Sequence, residues 1–307
     1  MKKNYLRRAA ALVAAGALAL SLAACGSSAE ETTAAADTEA AAEADTAETE
    51  AEASEDEGGS RLDAILDAGV ITMATSPDFA PYEFEDISSG TTEYAGSDVE
   101  LGRYIAEQLG VELQIEAMDF NACQGAVSMG AVDMAISGFA YTEERAENCG
   151  ISDGYITSTV VEQGIIVLKD TADGLKTAED FTGKTIAVQN ASLQQQLRAA
   201  QLPDSTEEVV TNLNDAIMML ATGKVDGVAS DLTVAQQYCD NYPDLAISEY
   251  RFEYETEGQR VLVPKGEDEL LEAINEIIAE VNESGIYAQW MEESIELATS
   301  LGLEVNG

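Results

Sequence analysis

Residues 213–231 read LNDAIMMLATGKVDGVASD. Residues 213–222 predict a helix. Gly223 is its stop, because glycine takes the left-handed turn that ends a helix without a steric penalty. Residues 225–229 then read as a strand, and Asp231 opens the next helix. The same order of helix, glycine and strand returns in residues 121–137, NACQGAVSMGAVDMAIS, with Gly130 as the divider. No short internal repeat appears, but the two halves share this pattern.

Working outward, residues 70–75 read as a strand, 98–109 as a helix stopped by Gly110, and 111–117 as a strand. Helix 121–129 and strand 132–137 close the first series, and 160–169 is a long β-branched run. The second series has strand 185–189, helix 192–200, strand 208–211, helix 213–222, strand 225–229 and helix 232–242. A strand at 260–264 and an amphipathic helix at 267–283, with acids outward, end the pattern. Such alternation implies an α/β fold with parallel sheets covered by helices. Glycines near Asp173-Gly174 and Glu257-Gly258 mark where the chain crosses between two lobes.

Charge excludes several function classes. The 307 residues carry 15 Lys+Arg against 58 Asp+Glu, a net −43, with no histidine. Nucleic acid would repel such a chain, since affinity there comes from cations on phosphates. Histidine triads, His-ligated zinc and His-ligated haem are ruled out. No metal or cofactor is expected, and no D-x-[DN]-x-[DN]-G calcium spacing appears. Residues 178–185, AEDFTGKT, satisfy a relaxed phosphate-loop pattern. They are acidic, lack a second glycine and lead into a strand, so they read as a turn.

The first sixty residues stand apart. Lys2, Lys3, Arg7 and Arg8 precede an apolar run that ends at Leu22-Ala23-Ala24-Cys25-Gly26. That is the layout of a secretory signal, shorter than the ~20 residues that span a bilayer. Leu-Ala-Ala-Cys-Gly resembles the bacterial lipobox, which makes Cys25 the lipidated first residue of the mature protein, anchored to the membrane outside the cytoplasm. Residues 26–60 hold twelve acids, no base, and no Val, Ile, Leu, Met or aromatic. Such a segment has nothing to bury and reads as a disordered acidic linker. The remaining body holds 46 acids and 11 bases, a net −35. Cys123, Cys149 and Cys239 remain in it, and a Cys123–Cys149 disulfide is one reading beside buried free thiols.

Four stretches resemble the polar-amino-acid solute-binding proteins of ABC transporters, the extracellular solute-binding protein family 3. They are MATSPDFAPYEF (73–84), GSDVEL (96–101), ISGFAYTEER (136–145) and GKVDGVASD (223–231), in the family's order and spacing. The resemblance covers nearly all of residues 61–307. It implies a two-lobed type II periplasmic-binding-protein-like fold, each lobe a mostly parallel sheet flanked by helices, with the ligand in the cleft. The lobes are then 61–168 with 258–307, and 169–257. It also implies that Arg145 holds a ligand carboxylate, helped by the backbone at Ser137, Gly138 and Ala140. The helix start at Ser192 and Leu193 shares that anion, Asp231 takes the ligand ammonium, and Phe79 and Phe120 cover the ligand.

The charge chemistry agrees. An amino acid carries one carboxylate and one ammonium, and a buried unpaired charge is costly. Arginine's planar fork suits the carboxylate, and helix N-termini suit anions. Three departures from the family pattern matter. Ala140 replaces a hydroxyl donor, Leu193 replaces a threonine, and Ser76 replaces an aspartate that helps hold an ammonium or a basic side chain. Ser76 therefore argues for a polar or neutral ligand over a basic one. Gln189, Asn121, Glu83 and Tyr141 are further candidate readers of the side chain. The expected partners are a free amino acid, the transmembrane permease subunits of an ABC transporter, and the membrane through Cys25; a monomer is expected, and no enzyme activity. A ligand-sensing receptor subunit and a dehydratase-like enzyme are the alternatives.

Overall fold

The structure, a computed structural model, describes residues 59–155, 162–254 and 258–302. The signal with Cys25, the linker up to Gly58, and Glu257 of the second expected crossing lie outside the described residues. Ser60, expected at the end of the linker, instead caps a helix absent from the sequence reading. Its Oγ accepts from Asp63 N at 3.3 Å and opens Arg61–Ala68.

Two five-stranded sheets build the body. In the first, Val70–Thr75 lies parallel to Glu112–Ala117 on one side and Met134–Ala135 on the other. Leu262–Pro264 then joins antiparallel to Met134–Ala135, and Cys149–Ile151 antiparallel to Leu262–Pro264. The second sheet repeats this plan. Thr185–Gln189 lies parallel to Thr206–Val210 and Gly227–Asp231. Gln163–Leu168 joins antiparallel to Gly227–Asp231, and Leu245–Phe252 antiparallel to Gln163–Leu168. Each sheet is thus parallel through three strands and antiparallel through the other two. The first lobe's boundary at 168 is therefore corrected. Gln163–Leu168 pairs on one side with Gly227–Asp231 and on the other with Leu245–Phe252, so it belongs to the second lobe.

Burial explains the sequence patterns. Ile71, Met73, Leu101, Ile105, Met134, Ile274 and Ile278 pack into one core of the first lobe. In the second sheet Ile166 and Val228 face one core while Ile165, Val167 and Val188 face another. A strand buried on both faces reads as an unbroken apolar run. Each fully buried Ile or Leu contributes roughly 1.5–3 kcal/mol relative to exposure. Several helices of the sequence reading appear within two residues of their expected ends, with Asp119, Ser192, Asn212 and Asp231 as side-chain caps. The expected strand 132–137 shrinks to Met134–Ala135, and that at 225–229 shifts to Gly227–Asp231.

Gly96 is a fixed point. Its φ is +126°, and a Cβ there would lie 2.0 Å from the Tyr82 carbonyl oxygen. Only glycine permits that approach, which sets the start of helix Ser97–Leu109. The phosphate-loop look-alike is the expected turn: Ala178–Phe181 forms a single 3-10 turn, and Asp180 Oδ2 accepts from Lys176 N and Thr177 N at 3.0 and 2.8 Å. Cys123 and Cys149 are buried free thiols, so the disulfide is not formed here; burial pushes both pKa values up. Among the described residues no helix is long and apolar enough to cross a membrane, and no cluster could hold a metal.

Candidate functional site

A narrow cavity lies between the sheets. Phe79, Phe120, Gly138, Ala140 and Arg145 supply the first lobe's wall. Gln163, Gln189, Leu193, Gln194, Asp231 and Tyr254 supply the second's, and Gln259 stands on the returning segment.

Arg145 arrives on the short helix Glu143–Asn148, opened by Thr142, whose Oγ1 accepts from Arg145 N at 3.2 Å. Its guanidinium carbon lies 5.4 and 5.3 Å from the ring centroids of Phe120 and Phe139, a cation–π cradle. Nε donates to Gln124 Oε1 at 2.8 Å, Nη1 to Ala140 O at 2.6 Å and Nη2 to Ala191 O at 3.0 Å. A guanidinium has about five N–H donors, so two are left. Burial lowers its pKa to about 10, which leaves it charged at neutral pH. Among the described residues it forms no salt bridge.

Asp231 mirrors it. The residue is 2% exposed and caps helix Leu232–Asn241, its Oδ1 accepting from Val234 N at 2.8 Å. Burial raises its pKa to about 7, against the backbone hydrogen bonds that lower it. It too has no salt bridge among the described residues. One cation and one acid, each buried and without a counter-ion, therefore face one cavity. A buried charge left so is costly until something pairs it.

Behind the wall the first lobe spends several polar groups on itself. Asp98, fully buried, accepts from Gly138 N and Tyr155 OH at 2.8 Å each and from Tyr287 OH at 2.5 Å. The Gly138 N–H expected to meet a ligand carboxylate is therefore committed to Asp98. Gly138 serves the wall through its missing side chain, since a Cβ would sit 3.2 Å from the Phe79 ring. Ser137 Oγ donates to Glu83 Oε1 at 2.8 Å and accepts from Ser76 N at 3.1 Å. Burial, and then the neighbouring Asp98 charge, push the Glu83 pKa well up. Ser76 Oγ donates to Asp78 Oδ1 at 2.9 Å, and Ser192 Oγ accepts from Gln195 N at 3.1 Å.

Seven of the ten expected site residues thus reach the wall: Phe79, Phe120, Gly138, Ala140, Arg145, Leu193 and Asp231. Ser76, Ser137 and Ser192 do not: Ser76 and Ser137 donate their hydroxyls to Asp78 and Glu83, and Ser192 Oγ caps its helix. Of the further readers, Gln189 lines the cavity; Glu83 is buried behind it, and Asn121 is exposed and Tyr141 half-exposed outside it. Sequence reasoning missed Gln163, Gln194, Tyr254 and Gln259. Only Gln194 and Gln259 had a signal, lying beside the Ser192–Leu193 helix start and the Gly258 crossing.

A family model described as bacterial extracellular solute-binding proteins, family 3, matches residues 71–295. The arginine-binding extracellular protein ArtP of Bacillus subtilis is 27% identical over 221 residues, covering 70% of this chain and 82% of that one. The amino acid ABC transporter substrate-binding protein AbpA of Streptococcus pneumoniae, solved with L-arginine, superposes with TM-score 0.74 at 31% identity, covering 79% of this chain and 99% of that one. The ancestral amino-acid-binding protein AncCDT-1, a precursor of cyclohexadienyl dehydratase, superposes with TM-score 0.68 at 26% identity, covering 76% and 99%.

Proposed function

This chain belongs to the bacterial extracellular solute-binding proteins, family 3, and on that basis we propose that it captures a free amino acid between its lobes and delivers it to an ABC transporter permease. The observation that carries this is the pair of buried, counter-ion-free charges on one cavity. The two uncommitted N–H groups of Arg145 take the ligand α-carboxylate. The first N–H groups of helix Leu193–Gln201, which have no partner within a helix, share it. Asp231 takes the α-ammonium, and Phe79 and Phe120 cover the ligand. The protein acts outside the cytoplasm as a monomer, held to the membrane by lipid on Cys25 at the end of an acidic linker.

Arginine leads the candidate ligands, because ArtP and AbpA are named for or solved with it. Ser76 remains an argument for a polar, neutral side chain, and the carboxamides of the wall suit either. A dehydratase-like activity draws on AncCDT-1 and on Asp231, the lining acid with a pKa of about 7. We favour binding without turnover, so ligand recovered after prolonged incubation is expected unchanged.

A thermal-shift screen against the twenty amino acids tests the reading. A ligand at 100 times its Kd adds about 2.7 kcal/mol of stability. Arg145→Ala should remove the shift, because it leaves the ligand carboxylate buried and unpaired. No shift with any amino acid would sink the assignment.

A further inference from the structure

Gln259 lies on the segment that returns the chain from the second sheet to the first, and it is 6% exposed. Gly258 before it has φ +98°, and a Cβ there would sit 2.3 Å from the Tyr155 carbonyl oxygen. Glycine alone allows that approach. Tyr155 N then donates to Gln259 O at 2.9 Å, and Gln259 N to Tyr155 O at 3.1 Å. The backbone is pinned on both sides, and the side chain lines the cavity, its Nε2 3.5 Å from where a Gly138 Cβ would be.

The carboxamide has work left to do. Gln259 Oε1 is buried with no hydrogen-bond partner. A buried acceptor is ordinarily satisfied, and an orphan in a cavity wall points at what fills the cavity. The other glutamines are committed differently. Gln194 Nε2 donates to Gln163 Oε1 at 2.8 Å. Gln189 Nε2 donates to Asp78 Oδ2 at 3.0 Å and to Thr211 O at 3.3 Å, so its carbonyl oxygen is what it has left.

We propose that Gln259 is a specificity-determining residue whose Oε1 accepts a hydrogen bond from an N–H on the ligand side chain, with the Gln189 carbonyl as a second acceptor. The inference rests on the amino-acid reading, in which Arg145 and Asp231 take the two backbone charges. The buried group left unpaired for the side chain is then an acceptor, Gln259 Oε1. The selected class is amino acids with a side-chain guanidinium, amide or imidazole. An apolar analogue of similar length leaves the acceptors unpaired, and sites built this way reject such analogues strongly.

The test is calorimetric titration of the full chain, and of its Gln259→Leu and Gln259→Glu variants, with L-arginine, L-glutamine, L-histidine and L-norleucine. In the parent chain at least one N–H-bearing ligand should bind at least about tenfold tighter than norleucine. Gln259→Leu should shrink that preference by about tenfold. Gln259→Glu should raise the preference for arginine over glutamine, since a carboxylate then faces the cation. The proposal is overturned if norleucine matches the best of the other three, or if the preference survives in Gln259→Leu. Should Gln259→Leu fail to fold by circular dichroism, an unchanged arginine-to-glutamine ratio in Gln259→Glu overturns it instead. If the parent binds none of the four but another amino acid shifts it in the thermal screen, this inference alone falls; no shift with any amino acid sinks the underlying reading as well. Binding with an unchanged preference sinks this inference alone.

Discussion

At the residue scale the site turns on Asp231. Its carboxyl moves from an ordinary 3.8 to about 7 because burial disfavours the charge. In the unliganded protein the sign follows directly. Between those values the folded chain holds a proton that the unfolded chain has lost. Its contribution to stability is therefore full below about 3.8 and is lost as pH rises through about 7. Ligand binding has the opposite sign, because an ammonium pairs with the ionised form. Affinity should fall as pH drops below about 7, approaching tenfold per unit, with one proton released on binding. Titrations at several pH values, in buffers of different ionisation enthalpy, would show the release. Asp231→Asn should bind weakly and lose the pH dependence; a wild-type affinity flat from pH 5 to 8 would remove Asp231 from the ammonium site. Tyr82, Glu83 and Asp98 share this buried surrounding. That Arg145 and Asp231 line the cavity was legible in the sequence, because a rare base and a helix-capping acid stand in recognisable stretches. That Ser76, Ser137 and Ser192 stand off the wall was not legible, since a hydroxyl's partner is decided by packing that no local pattern records.

At the element scale the motif 96–101 does its work through backbone geometry. Gly96 places the start of helix Ser97–Leu109, and that start carries Asp98, which holds the Gly138 turn at 2.8 Å. Gly96→Ala would drive a Cβ into the backbone of Tyr82 and Glu83, at 2.0 and 2.8 Å, at a φ that side chains avoid. Neither is a flexible side-chain end that could give way. The expected loss is about 3 kcal/mol or more in urea denaturation, the range of severe backbone and packing conflicts. A loss within 1 kcal/mol would mean the turn relaxes freely. Helices with a cap and a stop glycine were readable from the chain, as Leu213–Ala221 with Gly223 shows. Ile286–Leu301 was not, because its buried positions, Tyr287, Ser294 and Ala298, are too mixed to form an apolar stripe. The direction of Gln163–Leu168 was equally hidden: its composition suits either orientation, and only arrival from the other lobe makes it antiparallel.

At the scale of the whole molecule, closure has a device of its own. Asp78 lies in a three-stranded antiparallel sheet of the first lobe, Asp78–Phe79, Glu83–Asp86 and Glu93–Ala95, yet its Oδ2 accepts from Leu213 N at 2.7 Å and Gln189 Nε2 at 3.0 Å, both in the second lobe. Leu213 opens helix Leu213–Ala221, so the carboxylate also sits at the positive end of a helix. Tyr82 adds an apolar link, buried among Ile166, Ala187 and Val228 of the second lobe. Arg145 and Gln124 make a third contact across the cleft, on the Ala191 carbonyl at 3.0 and 3.4 Å. None of these needs a ligand atom. Asp78 itself does not line the cavity, although Gln189, one of the two groups it holds, does. Hydrogen bonds to a charged acceptor contribute roughly 1.5–3 kcal/mol each, and part of that is returned when water solvates the opened donors. Asp78→Ala should therefore speed ligand dissociation about tenfold or more while changing association little, because the open form still offers Arg145 to the ligand. Stopped-flow measurement of both rates separates the two. Small-angle scattering of the unliganded variant should show a larger radius of gyration than the parent. Unchanged dissociation in a folded variant would mean that ligand contacts alone hold the lobes shut.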